Sequence, residues 1–116
     1  MTTLTAVDDG DLQLDARPDA NDPAVWQLAA VGELDAANAE RVQPVIDAAL
    51  AEGARTVLLD LSALTFLDST GLRALLVAAK QLAALDGELR LVALSSPVKR
   101  LLELTDTTDR FGRPLR

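Results

Sequence analysis

The sequence predicts an α/β domain: a mixed, mostly parallel β-sheet of four to five strands packed with three to four helices. Three observations lead there. Two apolar segments, 11–17 and 24–31, flank a turn-rich stretch, which is a hairpin pattern. A continuous apolar run at 55–61 follows a helical stripe, which suits a strand reached through a crossover helix. From there strand and helix patterns alternate, as in βαβ units.

The elements follow in order. Residues 1–10 read as a flexible arm, and the core is expected to span about 11–111 of a single 1–116 domain. Leu12, Leu14 and Ala16 alternate with Asp11, Gln13 and Asp15, an edge-strand pattern. Pro18-Asp19-Ala20-Asn21-Asp22-Pro23 is turn-forming throughout. Ala24 to Val31 is a second strand and holds the only tryptophan, Trp26. Gly32-Glu33-Leu34-Asp35 breaks it, with Asp35 as a cap for a helix over roughly 36–52. Pro44 lies inside that helix and predicts a bend or a late start. Arg55 to Leu61 is read as a central strand covered on both faces. A short turn leads to a helix beginning with Ser69 as N-cap. Its buried stripe is Leu72, Leu75, Leu76, Ala79, Leu82 and Ala83, and Asp86-Gly87 closes it. Glu88 to Leu94 is a strand. Ser96 is expected to cap the last helix, with Pro97 first inside it, and a short strand is expected near Phe111.

Composition excludes several functions. Of 116 residues 49% are hydrophobic, enough for one core, and only 3% are aromatic, so Leu, Val and Ala must fill it. The net charge of −7 is the wrong sign for phosphate backbones, so no direct nucleic-acid contact is expected. There is no cysteine, histidine or tyrosine. That removes disulfides, thiolate metal sites, the Ser-His-Asp triad and most general acids and bases, so no enzyme is expected. The beginning of the chain shows no secretory signal and no apolar run reaches membrane-spanning length, so a cytoplasmic protein without membrane contact is expected.

Ser69 lies between Asp68 and Thr70-Gly71 at a strand-to-helix turn. A helix N-terminus carries unpaired N–H groups and about half a positive charge, so it tolerates an added phosphate. Gly71 leaves the backbone open to close approach. Arg73 sits one turn on and can reach back to a phosphate. Arg73, Val77 and Lys80, with Ala74 beside them, form a lightly apolar outer face suited to docking. The same local pattern also fits an ordinary capping turn and a solvated helix face. Asp35, Asp60 and Asp68 can further be drawn as a magnesium site.

Three segments in series carry a resemblance: Gly32-Glu33-Leu34-Asp35, the strand ending Leu59-Asp60-Leu61-Ser62, and Phe66-Leu67-Asp68-Ser69-Thr70-Gly71-Leu72. Asp86-Gly87 and the stretch Ser96 to Leu104 extend it. At this spacing the chain resembles the STAS superfamily, and within it the bacterial anti-sigma factor antagonists, from about 11 to 111. The resemblance implies a STAS-like fold and a partner that is both an anti-sigma factor and a serine kinase of GHKL type. The unphosphorylated antagonist captures that partner and frees a sigma factor. Phosphorylation of the serine after the aspartate, here Ser69, ends capture, and a PP2C-type phosphatase resets it. ATP and magnesium then belong to the kinase, and no cofactor is expected on this chain. The expected partner-binding residues are Asp35, Asp68, Ser69, Thr70, Gly71, Arg73, Ala74, Val77 and Lys80. Thr70 stands where many members carry serine, and is a second candidate acceptor. Asp106 stands where the family often has glycine, so the end of the third helix is expected to differ, and the 18–23 loop looks long. A second reading is a non-switching STAS scaffold subunit of a stressosome-like or lipid-transport complex.

Overall fold

A ten-residue strand, Val25–Leu34, organises the sheet. The computed structural model describes residues 4–8 and 10–111. Its elements are β1 (Leu4–Asp8), β2 (Leu12–Pro18), β3 (Val25–Leu34), α1 (Val42–Ala51), β4 (Thr56–Leu61), β5 (Leu64–Leu67), α2 (Ser69–Ala83), β6 (Glu88–Leu94) and α3 (Ser96–Thr105). Single 3₁₀ turns precede α1 at Ala39–Arg41 and follow α3 at Thr108–Arg110. Strands β1, β2, β3, β4 and β6 are neighbours in that order, and β5 also pairs with β3. The β1–β2 and β2–β3 pairs are antiparallel; the other three pairs are parallel.

Register follows from apolar alternation. Leu14 lies opposite Ala30, Leu28 opposite Leu59, and Leu59 opposite Leu91, so buried residues stack across four strands. A slip of one residue would turn each of these out of the core. The helices bury Val42, Val45 and Ile46 from α1, Leu72, Leu75, Ala78 and Leu82 from α2, and Val98 and Leu102 from α3 against that face.

Several expectations need correction. Residues 4–8 are a paired strand rather than a free arm, so 12–18 is an interior strand, not an edge. The opposite face of β4 is not covered. Thr56, Leu58 and Asp60 are only half-buried there. A depression of about 380 Å³ opens beside Asp15, Arg17, Gln27, Ala29, Leu58 and Asp60. The helix after Asp35 starts late, at Val42, which puts Pro44 third in its first turn, where no intrahelical N–H bond is lost. Ser95, not Ser96, is the N-cap of α3, and Pro97 is second; the Ser95 hydroxyl instead donates to the Leu64 carbonyl and ties α3 to β5. Asp106 closes α3 in the left-handed conformation (φ 56°), so the cap expected to need glycine is kept. Aspartate is among the few residues that enter this region readily. The strand expected near Phe111 is a 3₁₀ turn, and Phe111 is buried.

A closed network joins α1 to α2. Gln43 Nε2 donates to Asp47 Oδ1 (2.8 Å) and Gln81 Oε1 (2.6 Å), and Gln81 Nε2 donates to Asp47 Oδ1 (2.9 Å). The Gln81 and Gln43 amides hold the Asp47 carboxyl below its ordinary value of 3.8. A depressed folded pKa stabilises the protein above the unfolded value and loses that contribution as pH falls through the folded one. Asp47→Ala is therefore expected to cost a constant amount of stability from neutral pH down to mild acid. The difference from wild type should shrink as pH drops below 3.8. Denaturant melts of both proteins across this range check it.

Candidate functional site

The site begins with how the chain reaches α2. β3 is long enough to hold two parallel partners on one edge: β4 pairs with 25–29, and β5 pairs with 32–34. Gly32 permits the crossing. Its φ is +104°, and a Cβ there would lie 2.2 Å from the Asp11 carbonyl oxygen. β5 is a strand the sequence reading missed, because four residues between two turns give too little pattern to show a period. It carries the chain alongside Leu34 and delivers Asp68 to the edge of the sheet, where Asp68 N–H donates to the Leu34 carbonyl (3.3 Å).

Asp68, rather than Ser69, is the N-cap of α2. Its backbone is extended, and its Oδ1 accepts from the N–H of Gly71 at 2.8 Å. A carboxylate at the positive end of a helix is a stronger acceptor than a hydroxyl, which explains the choice. The other oxygen, Oδ2, accepts from the N–H of Ala36 at 3.1 Å. One side chain thus caps α2 and pins the loop that carries Asp35.

That loop is rigid for its own reasons. Asp35 Oδ1 accepts from Ala37 N–H, and Asn38 Oδ1 accepts from Asp35 N–H, both at 3.0 Å. Asn38 Nδ2 donates to the Glu33 carbonyl at 2.9 Å. Asn38 is 3% exposed, the one buried polar residue among those described, and was not singled out from the sequence. The available signal was its place three residues after Asp35, the spacing at which a side chain can bond back to the N–H of a capping residue, as in a capping box.

With Asp68 as the cap, Ser69 becomes the first helical residue. Ser69 and Thr70 are exposed, and neither hydroxyl has a hydrogen-bond partner among the described residues. The backbone N–H groups of both are also unpaired among the described residues, since Gly71 and Leu72 bond to Asp68. The hydroxyl is therefore free, and two amide donors stand beside it.

Other expected residues sort themselves by exposure. Arg73, Val77 and Lys80 are exposed and Ala74 half-buried; all four line a groove beside α1. Gly71 is different. It is buried, and an added Cβ would lie 2.6 Å from the Leu34 carbonyl oxygen and 2.9 Å from Leu67 Cδ1. Its openness serves packing of α2 on the end of β3, not approach by a partner. Asp35, Asp60 and Asp68 do not converge: Asp60 Oδ1 is taken by the N–H and hydroxyl of Ser62, and Asp35 and Asp68 by the amides above. No acidic cluster able to hold a metal occurs among the described residues. Two groups were missed: Phe66, 47% exposed three residues before Ser69, and Glu40 with Gln43 on the α1 side of the groove.

These assignments separate the two serine-turn residues by stability. Ser69→Ala should change unfolding free energy by less than about 0.5 kcal/mol, as its hydroxyl bonds to none of the described residues. Asp68→Ala should cost about 1–2 kcal/mol and speed amide exchange at Ala36 and Gly71 together. Gly71→Ala should cost about 1–3 kcal/mol through forced displacement of α2 from Leu34. Denaturant melts and hydrogen exchange by NMR measure all three.

Comparison with known proteins agrees with this geometry. The STAS domain family profile matches residues 19–116. A Bordetella bronchiseptica protein named as an anti-sigma factor antagonist, BtrV, is 39% identical over 74 residues, 64% of this chain. The match also spans only 64% of that relative's length. An anti-sigma factor antagonist of Mycobacterium paratuberculosis has the same fold, with a TM-score of 0.74 at 25% identity over 91% of this chain and 88% of that one. The antagonist SpoIIAA superposes with a TM-score of 0.70 at 20% identity, covering 87% and 88% of the two chains, and has also been solved in a phosphorylated form as a Bacillus cell fate determinant. No described helix is long and apolar enough to cross a membrane. The turn built around Asp68, the six-stranded sheet that presents it and the match across most of the length lead to one assignment: this chain belongs to the STAS domain family.

Proposed function

We propose that this protein is an anti-sigma factor antagonist whose binding is gated by a phosphate on Ser69. In the unmodified form it sequesters a cognate anti-sigma factor and so releases a sigma factor. That partner is a serine kinase of GHKL type, which modifies Ser69, and a PP2C-type phosphatase removes the phosphate. The observation that carries the reading is the exposed Ser69 hydroxyl, unbonded among the described residues, at the first position of α2 beside two unpaired N–H groups.

Physical chemistry favours a binding switch over a folding switch. A phosphate on Ser69 meets free amide donors and the positive end of α2, so the helix accepts it. The cap is on Asp68 and is not displaced. A phosphoserine carries about −1.5 to −2 charge at neutral pH. Next to Asp68 it makes a dense negative patch that water and salt screen in the free protein. Under a complementary surface the patch must shed that water. A penalty of about 4 kcal/mol is a thousandfold in affinity. The chemistry comes from the kinase and phosphatase; this chain presents the hydroxyl and the surface around it.

The test begins with the protein, ATP, magnesium and the candidate kinase, and locates the added mass. It is expected on Ser69 and absent from Ser69→Ala, and phosphate on Thr70 alone would reassign the switch. Ser69→Glu should weaken binding of the kinase by about tenfold or more, equivalent to about 1.4 kcal/mol. Equal affinity of the phosphorylated and unmodified forms would instead mark a permanent scaffold subunit.

A further inference from the structure

The sequence reading placed the docking surface on Asp35, the Asp68–Gly71 turn and the outer face of α2, with no residue from α1. In the structure that face is one wall of a groove. Residues 39–43 run beside the first half of α2, and Gln43 and Asp47 bond to Gln81 in its second half, so the two helices lie side by side in the same direction. The space between them holds two adjoining depressions of about 270 and 350 Å³. Val77 and Gln43 line both; Ala39 and Ala74 add apolar surface to the first and Ala84 to the second. Val77 is 49% exposed, a large aliphatic side chain left to water in the middle of the groove.

The walls carry opposite charge. Arg73 and Lys80 line the α2 side, seven residues and about 10 Å apart along the helix. Neither has an ion-pair partner among the described residues, in a chain whose net charge is −7. The α1 side carries Glu40 and, beyond Gln43, Asp47. No ion pair crosses the groove among the described residues; the two helices are bridged instead by the Gln43–Gln81 hydrogen bond, which lines the second depression. A straight apolar floor between two such walls fits a helix. Its apolar stripe covers Val77 and the alanines, one flank bears acids opposite Arg73 and Lys80, and the other bears a base opposite Glu40. Turning that helix end for end would exchange its flanks, so the charges also fix its direction.

We infer that the α1–α2 groove is the docking site for an amphipathic helix of the partner, acidic on the flank facing Arg73 and Lys80 and basic on the flank facing Glu40. The inference rests on the reading of the Ser69 region as a partner-binding surface, and deepens it. Ser69 stands one turn ahead of Arg73 on the same side of α2, so a phosphate there competes with the acidic flank for the guanidinium.

The test uses the unphosphorylated full chain and two stapled 15-residue helices as probes. Both carry one Leu/Ala stripe. The first has glutamates seven residues apart on one flank and lysines on the other, and the second has lysines on both flanks. Two-dimensional NMR titration of the labelled protein should place the first peptide's shifts on Ala39, Gln43, Ala74, Val77 and Gln81. It should bind about fivefold or more tighter than the second, the effect of two surface ion pairs. Lys80→Glu and Glu40→Lys, both exposed changes, should each reduce that preference. Equal binding of the two peptides, shifts centred elsewhere, or no binding at millimolar concentration would overturn the inference. No kinase or phosphate enters this experiment, so its failure leaves the Ser69 switch standing. A failed phosphorylation test would likewise leave the groove standing.

Discussion

The carboxylate of Asp68 is the contact on which the rest of the site depends. It accepts one N–H from the first turn of α2 and another from Ala36, thirty-two residues earlier in the chain. The first bond makes Asp68 the cap and so pushes Ser69 into the helix with its hydroxyl unused. The second fixes the Asp35 loop against the same turn. A serine cap would have engaged the hydroxyl that here stays unbonded among the described residues. Capping strength and chemical availability are thus divided between neighbours, and the division costs nothing because aspartate is the better cap at a helix N-terminus.

Behind that turn stands a one-sided sandwich. All three helices pack on the face of the sheet defined by Leu14, Leu28, Leu59 and Leu91. The turn lies at the end of β5, which α3 holds through the Ser95–Leu64 bond, and Gly71 lets α2 seat directly on Leu34. Ser69 therefore sits on a packed support rather than on a loose loop. A charge added there would alter the surface and leave the support in place, the condition that the proposed binding switch requires. The exposed arginine and lysine of α2 gain meaning in this setting. In an acidic chain they are a local reversal of sign close to the Asp68–Ser69 turn.

Much of this was legible in the residues. Alternation in 11–17, the apolar run at 55–61 and the stripe through Leu72, Leu75 and Leu82 placed the main strands and the site helix. Pro44 gave the late helix start. The Asp-Ser-Thr-Gly turn located the start of α2 to within one residue. What was misread shares a cause. Choosing between Asp68 and Ser69 as cap depends on where the backbone leaves β5, and both side chains satisfy the local rule. Gly71 looks like an open backbone until Leu34 and Leu67 arrive from elsewhere. Asp106 was expected to make the end of α3 differ, but aspartate enters the left-handed cap there.

The main strands and helices other than β1 and β5, the acidic composition and the place of the Asp68–Ser69 turn were legible in the chain alone, because period, capping chemistry and charge are properties of neighbouring residues. Which face of β4 stays open, which side chain caps α2, and that Glu40 and Gln43 face Arg73 and Lys80 across a groove were decided only by the tertiary structure. Those relations join residues thirty or more positions apart, and no local pattern encodes a distance between two helices.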